Sequence, residues 1–208
     1  MACPCTKAHT PRLVVLTGGP GAGKTASLEV IRRRFCEHVV VLPEAATIVF
    51  RGGFPRRPEP YARRSAQRAI YRVERELEQM VLDEGRAAVA LCDRGTIDGA
   101  AYWPGDVREL FEGGGASVES ELARYATVIH LRVPSAGYNH DNPVRIESWA
   151  EARRIDEAIE RAWDAHPRRF FVDETADFLT KLNRVVALVR AEVPDCCRGN
   201  GADLKIGP

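Results

Sequence analysis

Residues 18–25 read Gly18-Gly19-Pro20-Gly21-Ala22-Gly23-Lys24-Thr25: a glycine, four residues, then Gly-Lys-Thr. Each part suits a nucleoside triphosphate. Glycines let backbone N–H groups surround phosphate oxygens, because no Cβ stands in the way. Lys24 brings a cation to the terminal phosphates, and the Thr25 hydroxyl is a hard oxygen ligand for Mg²⁺. The candidate nucleotide site runs from Gly18 through Ala26. A dinucleotide-binding pattern is excluded here, because its third glycine, counted from Gly19 and Gly21, falls on Lys24.

Further groups suit phosphoryl transfer. Asp93 follows the apolar run Val89-Ala90-Leu91-Cys92 and can hold Mg²⁺ together with Thr25. Its plain alternative is a surface carboxylate capping the next helix. Arg94 can reach a phosphate or form an ordinary surface ion pair. Glu44 follows a second apolar run and can orient an acceptor hydroxyl or take its proton. It can equally cap a helix beginning at Ala45. The polar stretch from Tyr138 to Arg145 is a candidate lid, and an arginine from a lid can neutralise charge on the transferring phosphoryl. Arg145 is the first candidate, ahead of Arg153 and Arg154, for which a solvated helix face is the alternative. Gln67 is a weaker candidate contact for an acceptor. His140 could be a ligand or base, but a lone loop histidine is more often neither.

Positioning these groups takes strands that end where the groups begin. Leu13-Val14-Val15-Leu16 is a short apolar run suited to a buried central strand, and apolar Leu28, Ile31 and Phe35 recur beyond the loop at helical spacing. Strand, glycine loop and helix aim the loop's N–H groups and the helix dipole at an anion. Val39–Leu42, Ala87–Cys92, Thr127–Val133 and Phe170–Val172 read as four more strands. Tyr61–Glu84 reads as a long helix with an apolar stripe of Ala62, Ala66, Ile70, Val73, Leu77 and Val81, closed by Gly85. Ser148, with Glu151 three residues on, caps a helix reaching about Asp164. Strands alternating with helices predict an α/β fold with a parallel sheet covered on both faces. Right-handed crossovers gather Gly18–Thr25, Glu44 and Asp93-Arg94 along one sheet edge.

The 208 residues, 45% hydrophobic and 28% charged, fit one globular domain with a substantial core. Residues 1–11 are expected to be a loose leading segment, 12–193 the nucleotide-binding domain with its lid near 134–150, and 194–208 a loose tail. A net charge of +1 gives no overall field toward nucleic acid or membrane, and no nucleic-acid partner is expected. No run is long and apolar enough to span a bilayer, and no secretory signal core is evident, so a cytoplasmic protein is expected. Of the six cysteines, Cys3, Cys5, Cys196 and Cys197 fall in the expected tails. Their spacing matches no familiar zinc motif, and reduced thiols are expected.

Several segments together resemble a known family: the phosphate loop; Pro43-Glu44-Ala45-Ala46-Thr47; Gly52-Gly53-Phe54-Pro55; Asp93-Arg94-Gly95 with Asp98-Gly99-Ala100-Ala101-Tyr102-Trp103-Pro104; and Asn142-Pro143-Val144-Arg145-Ile146-Glu147. This is the AAA-type ATPase-like domain shared by bacterial nicotinamide riboside kinases and TRPL translocation defect proteins, and the resemblance spans about residues 12–192. It implies a P-loop NTPase fold of the kinase-like kind, with strand order 2-3-1-4-5. By analogy with deoxynucleoside and thymidylate kinases, it puts Glu44 in the place of an acidic catalytic residue. It also puts Asp93-Arg94 at their Asp/Glu-Arg position and residues 138–147 in the lid. Family membership leaves the acceptor open.

The expectation is an ATP·Mg²⁺-dependent phosphotransferase acting on a small hydroxyl-bearing, nucleoside-like molecule, with GTP as the alternative donor. Two rival readings are a nucleotide-dependent switch or binding protein and a plain nucleotide hydrolase. An enclosed acceptor cavity between Glu44, Arg94 and Gln67 favours a kinase, and a filled, apolar region there favours a switch.

Overall fold

The computed structural model describes residues 3–133, 148–173 and 178–198. Five parallel strands form one sheet in the order β2-β3-β1-β4-β5, the order implied by the family resemblance. They are β1 (Arg12–Thr17), β2 (Val39–Leu42), β3 (Val89–Asp93), β4 (Tyr125–Leu131) and β5 (Arg169–Val172). Helices α1 (Lys24–Arg34), α2 (Ala45–Arg51), α3 (Pro60–Glu84), α4 (Arg108–Glu112), α5 (Val118–Ala123), α6 (Trp149–Ala162), α7 (Phe178–Glu192) and α8 (Asp195–Arg198) connect and cover the strands. A 3-10 turn spans Thr96–Tyr102. Asp195–Arg198, expected within a loose tail, thus form a short helix, and Cys197 is buried.

The sheet divides the core because strand side chains alternate between faces. Val14 and Leu16 of β1 pack with Leu28 and Ile31 of α1 and with Leu182, Val185 and Val189 of α7. Leu13 and Val15 pack on the other face with Tyr71 of α3, Ile159 of α6, Phe111 and Trp163. Continuous apolar runs therefore suit strands buried on both sides.

Helix α3 buries Ala66, Ile70 and Val81 of the stripe its apolar spacing predicts, with two carboxylates and Tyr71 added to it. The buried residues are Ala66, Ile70, Tyr71, Glu74, Glu78 and Val81, while Val73 and Leu77 are only half-buried. The stripe follows steps of four through two carboxylates. Gly85 ends the helix in the left-handed conformation (φ 62°). Helix α6 carries a capping box in which Ser148 and Glu151 each bond the other's backbone N–H.

Candidate active site

The phosphate loop joins β1 to α1. Gly18, Gly21 and Gly23 have φ of 131°, 82° and 98°, angles that L side chains rarely adopt. At Gly18 a Cβ would also stand 2.1 Å from the Leu131 carbonyl oxygen. Helix α1 begins at Lys24 with no side-chain cap and no acidic residue in its first turn. Its leading N–H groups and positive dipole end therefore have no competing local anion.

Lys24 is buried, and its ammonium donates to the carbonyls of Gly18 (2.8 Å) and Gly19 (3.0 Å). Burial pulls its pKa down to about 8, with Arg94 adding to the pull and the carboxylates of Asp93, Glu44 and Asp98 opposing it. Asp93 ends β3 in register with Leu16 of β1, next to the start of the loop. Burial pushes its carboxyl up to about 6 against the attraction of Lys24. Thr25 is exposed at the head of α1. The Thr25 hydroxyl in the first turn of α1 and the Asp93 carboxylate at the end of β3 are hard oxygen donors of the kind Mg²⁺ takes.

Arg94 follows directly, with its backbone N–H on the Leu16 carbonyl (3.1 Å). Its Nε donates to Glu44 at 2.8 Å, and its guanidinium lies 3.9 Å from Asp98. Glu44 occupies the position before α2, but its side chain makes no capping bond. Its carboxylate accepts from Thr47 and Arg94 instead. Burial raises its pKa, yet the Arg94 guanidinium and the Thr47 hydroxyl outweigh that and hold the carboxyl below its ordinary value.

A cleft of about 930 Å³ opens beside these groups. Pro20 of the loop, Glu44, Arg94 and Gln67 all line it, as do Arg51, Arg56, Arg57 and Arg63. Lys24, Glu44, Asp93, Arg94 and Gln67 thus gather around one strand edge and cleft. Arg145 lies outside the described residues. Arg153 and Arg154 are exposed on α6 and pair within it, with Glu157 at 3.6 Å and Glu151 at 4.0 Å.

Three carboxylates stand out that the sequence reading gave no role. Asp98, buried in the 3-10 turn, accepts from the Thr17 hydroxyl (2.7 Å) and the Trp163 indole N–H (2.6 Å). Asp156 of α6 accepts from the Gly19 N–H of the phosphate loop at Oδ1 (2.6 Å), which also lies 2.9 Å from His130 Nε2, and from the Val133 N–H at Oδ2 (3.3 Å). Glu74 lines the cleft, and burial, reinforced by Glu78, pushes its carboxyl well up. Glu74 and Asp156 each stand at helical spacing among apolar neighbours, a signal visible in the sequence.

A parallel 2-3-1-4-5 sheet with a phosphate loop after its central strand defines a P-loop protein of the kinase-like kind. The chain belongs to the AAA domain family, whose model matches residues 13–181. No curated protein matches it. Among solved structures, a NadR protein in complex with NR superposes with a TM-score of 0.67 at 14% identity, over 89% of this chain and 52% of that one. The chain thus spans about half the length of that protein. Thymidylate kinase from Ehrlichia chaffeensis gives 0.58 at 10% identity, over 86% of this chain and 98% of that chain. Thymidylate kinase from Candida albicans gives 0.60 at 11%, over 89% and 93%. These likenesses establish the fold. Among the described residues, no helix is long and apolar enough to cross a membrane.

Proposed function

We propose that the protein is an ATP·Mg²⁺-dependent phosphotransferase acting on a small hydroxyl-bearing, nucleoside-like acceptor. The observation that carries this reading is the cleft bounded by Glu44, Arg94 and Gln67 directly beside the phosphate loop.

In this reading the loop N–H groups and Lys24 hold the donor phosphates. Thr25 and Asp93 hold Mg²⁺, which when bound draws charge from the phosphate oxygens. Arg94 brings a guanidinium to the transferring group. Glu44, held ionised by Arg94, orients the acceptor hydroxyl. A carboxylate with a lowered pKa is a weak base, so orientation outweighs proton abstraction. The arginines at the cleft rim favour an acceptor that already carries negative charge. The family resemblance and the nucleotide-kinase fold of the solved relatives support the same class.

The test is Mg²⁺-dependent ATP and GTP consumption across nucleosides, nucleoside monophosphates, riboside cofactors and sugars. Acceptor-stimulated turnover is expected. Glu44→Gln, which keeps an acceptor oxygen but loses the charge that pairs with Arg94, should lower kcat far more than nucleotide affinity. Hydrolysis that no acceptor accelerates would make the protein a hydrolase. Nucleotide binding without turnover across the panel would make it a switch.

A further inference from the structure

Six thiol and imidazole side chains from three distant segments meet at the edge of the sheet opposite the phosphate loop. Cys3, Cys5 and His9 come from the leading segment, Cys36 and His38 from the approach to β2, and Cys197 from α8. The parallel strands place His38, just before Val39, at the amino edge of the sheet. The phosphate loop leaves from the carboxyl edge.

The donor atoms of Cys5, His9, His38 and Cys197 all lie within 4.8 Å of one another. Cys5 Sγ is 3.5 Å from His9 Nε2. Cys197 Sγ is 3.5 Å from the same nitrogen and 3.4 Å from His38 Nδ1. Bond lengths of about 2.3 Å for Zn–S and 2.0 Å for Zn–N in a tetrahedron separate S from N by about 3.5 Å. Hydrogen bonding explains the cluster less well. His9 Nε2 faces two sulfurs, and one imidazole nitrogen offers a single hydrogen or a single lone pair. A cation at the centre satisfies all four donors together.

We infer that Cys5, His9, His38 and Cys197 form a structural zinc site that pins the leading segment and α8 to the base of β2. Thiolate and imidazole donors are those zinc takes, and four protein ligands leave no open position for chemistry. The surrounding backbone is already fixed. The His9 N–H donates to the Gly85 carbonyl (3.3 Å), and the His38 carbonyl accepts from the N–H groups of Ala88 (2.8 Å) and Val89 (3.1 Å). On binding, two S–H bonds break, two Zn–S bonds form, and two protons leave to solvent. The neutral imidazoles each give a nitrogen lone pair.

The test uses the full chain, purified with its thiols reduced, stripped by chelator and reloaded with Zn²⁺. Metal analysis should return about one ion per chain, and stripping should lower the melting temperature. Titration with Co²⁺ alone should produce the visible bands of a tetrahedral ion and a thiolate-to-cobalt charge-transfer band. Cys5→Ser combined with His9→Asn changes only the leading segment, outside every strand and helix, and should abolish both signals while nucleotide binding persists. Cys3→Ser with Cys36→Ser should retain both. Less than about a tenth of an ion per chain after reloading, or cobalt bands without thiolate charge transfer, overturns the site. Metal lost with Cys3 and Cys36 but kept without Cys5 and His9 overturns this donor set.

Discussion

Arg94 is the one described residue other than glycine with positive φ, at 75°. Non-glycine residues in that region cost energy and persist where their surroundings over-determine them. Here the Leu16 carbonyl holds the backbone, and Glu44 and Asp98 hold the guanidinium. Arg94 and Glu44 were both legible as polar groups ending apolar runs, but their mutual ion pair was not, since 50 residues separate them. Lys24 gives the sharpest prediction at this scale. Its pKa stands at about 8 instead of 10.5, so above about pH 8 the free protein holds it mostly neutral. A bound triphosphate favours the ammonium form. Nucleotide binding near pH 9 should therefore take up a proton, and affinity should fall as pH rises through 8. Calorimetry in buffers of different ionisation enthalpy should show buffer-dependent heats at pH 9 but not at pH 7, and Lys24→Met should remove the difference.

Helix α6 couples the phosphate loop to β4 through Asp156, which sits between Ala152 and Ile159 on the helix's buried face. Its contacts with Gly19, His130 and Val133 make it the acceptor that fixes the loop's second glycine. Asp156→Asn keeps the shape but removes the charge and half of the acceptor capacity. Urea denaturation should show a loss of about 1.5–3 kcal/mol, the usual worth of hydrogen bonds to a charged group. The strands were legible because each is a short apolar run, and α6 because Ser148 and Glu151 announce its start. The carboxylates on the buried face of α3 were not, because apolar spacing alone favours Val73 and Leu77 over polar groups that tertiary partners satisfy. Glu78 accepts from the Tyr125 hydroxyl at 2.8 Å, a partner 47 residues away.

Across the whole molecule, Arg124 locks α3 to the β4 edge by pairing with the buried Glu78 and with Glu121 (3.0 Å). Glu121 also takes the hydroxyls of Tyr71 (2.9 Å) and Thr96 (2.7 Å). Arg124→Met leaves the buried Glu78 without a cation, whereas Glu121 keeps Arg75 at 3.0 Å, and should cost about 3–5 kcal/mol in chemical denaturation, while adding Glu78→Gln should recover much of the loss. Sheet order was legible through the family resemblance. The meeting of the leading segment and α8 beside His38 was not, because no local pattern links residues 5, 9, 38 and 197. The sheet order also sets a timetable for synthesis. β1 pairs with β3 and β4, and β2 pairs with β3, so the first two strands to leave the ribosome have no bond to each other. At about 5–20 residues per second, β2 waits several seconds for β3. Until then Leu13–Leu16 and Val39–Leu42 stay exposed to chaperones and to aggregation. The glycine loop after β1, near the start of the chain, meets its β4 and α6 neighbours only after residue 156 has been made.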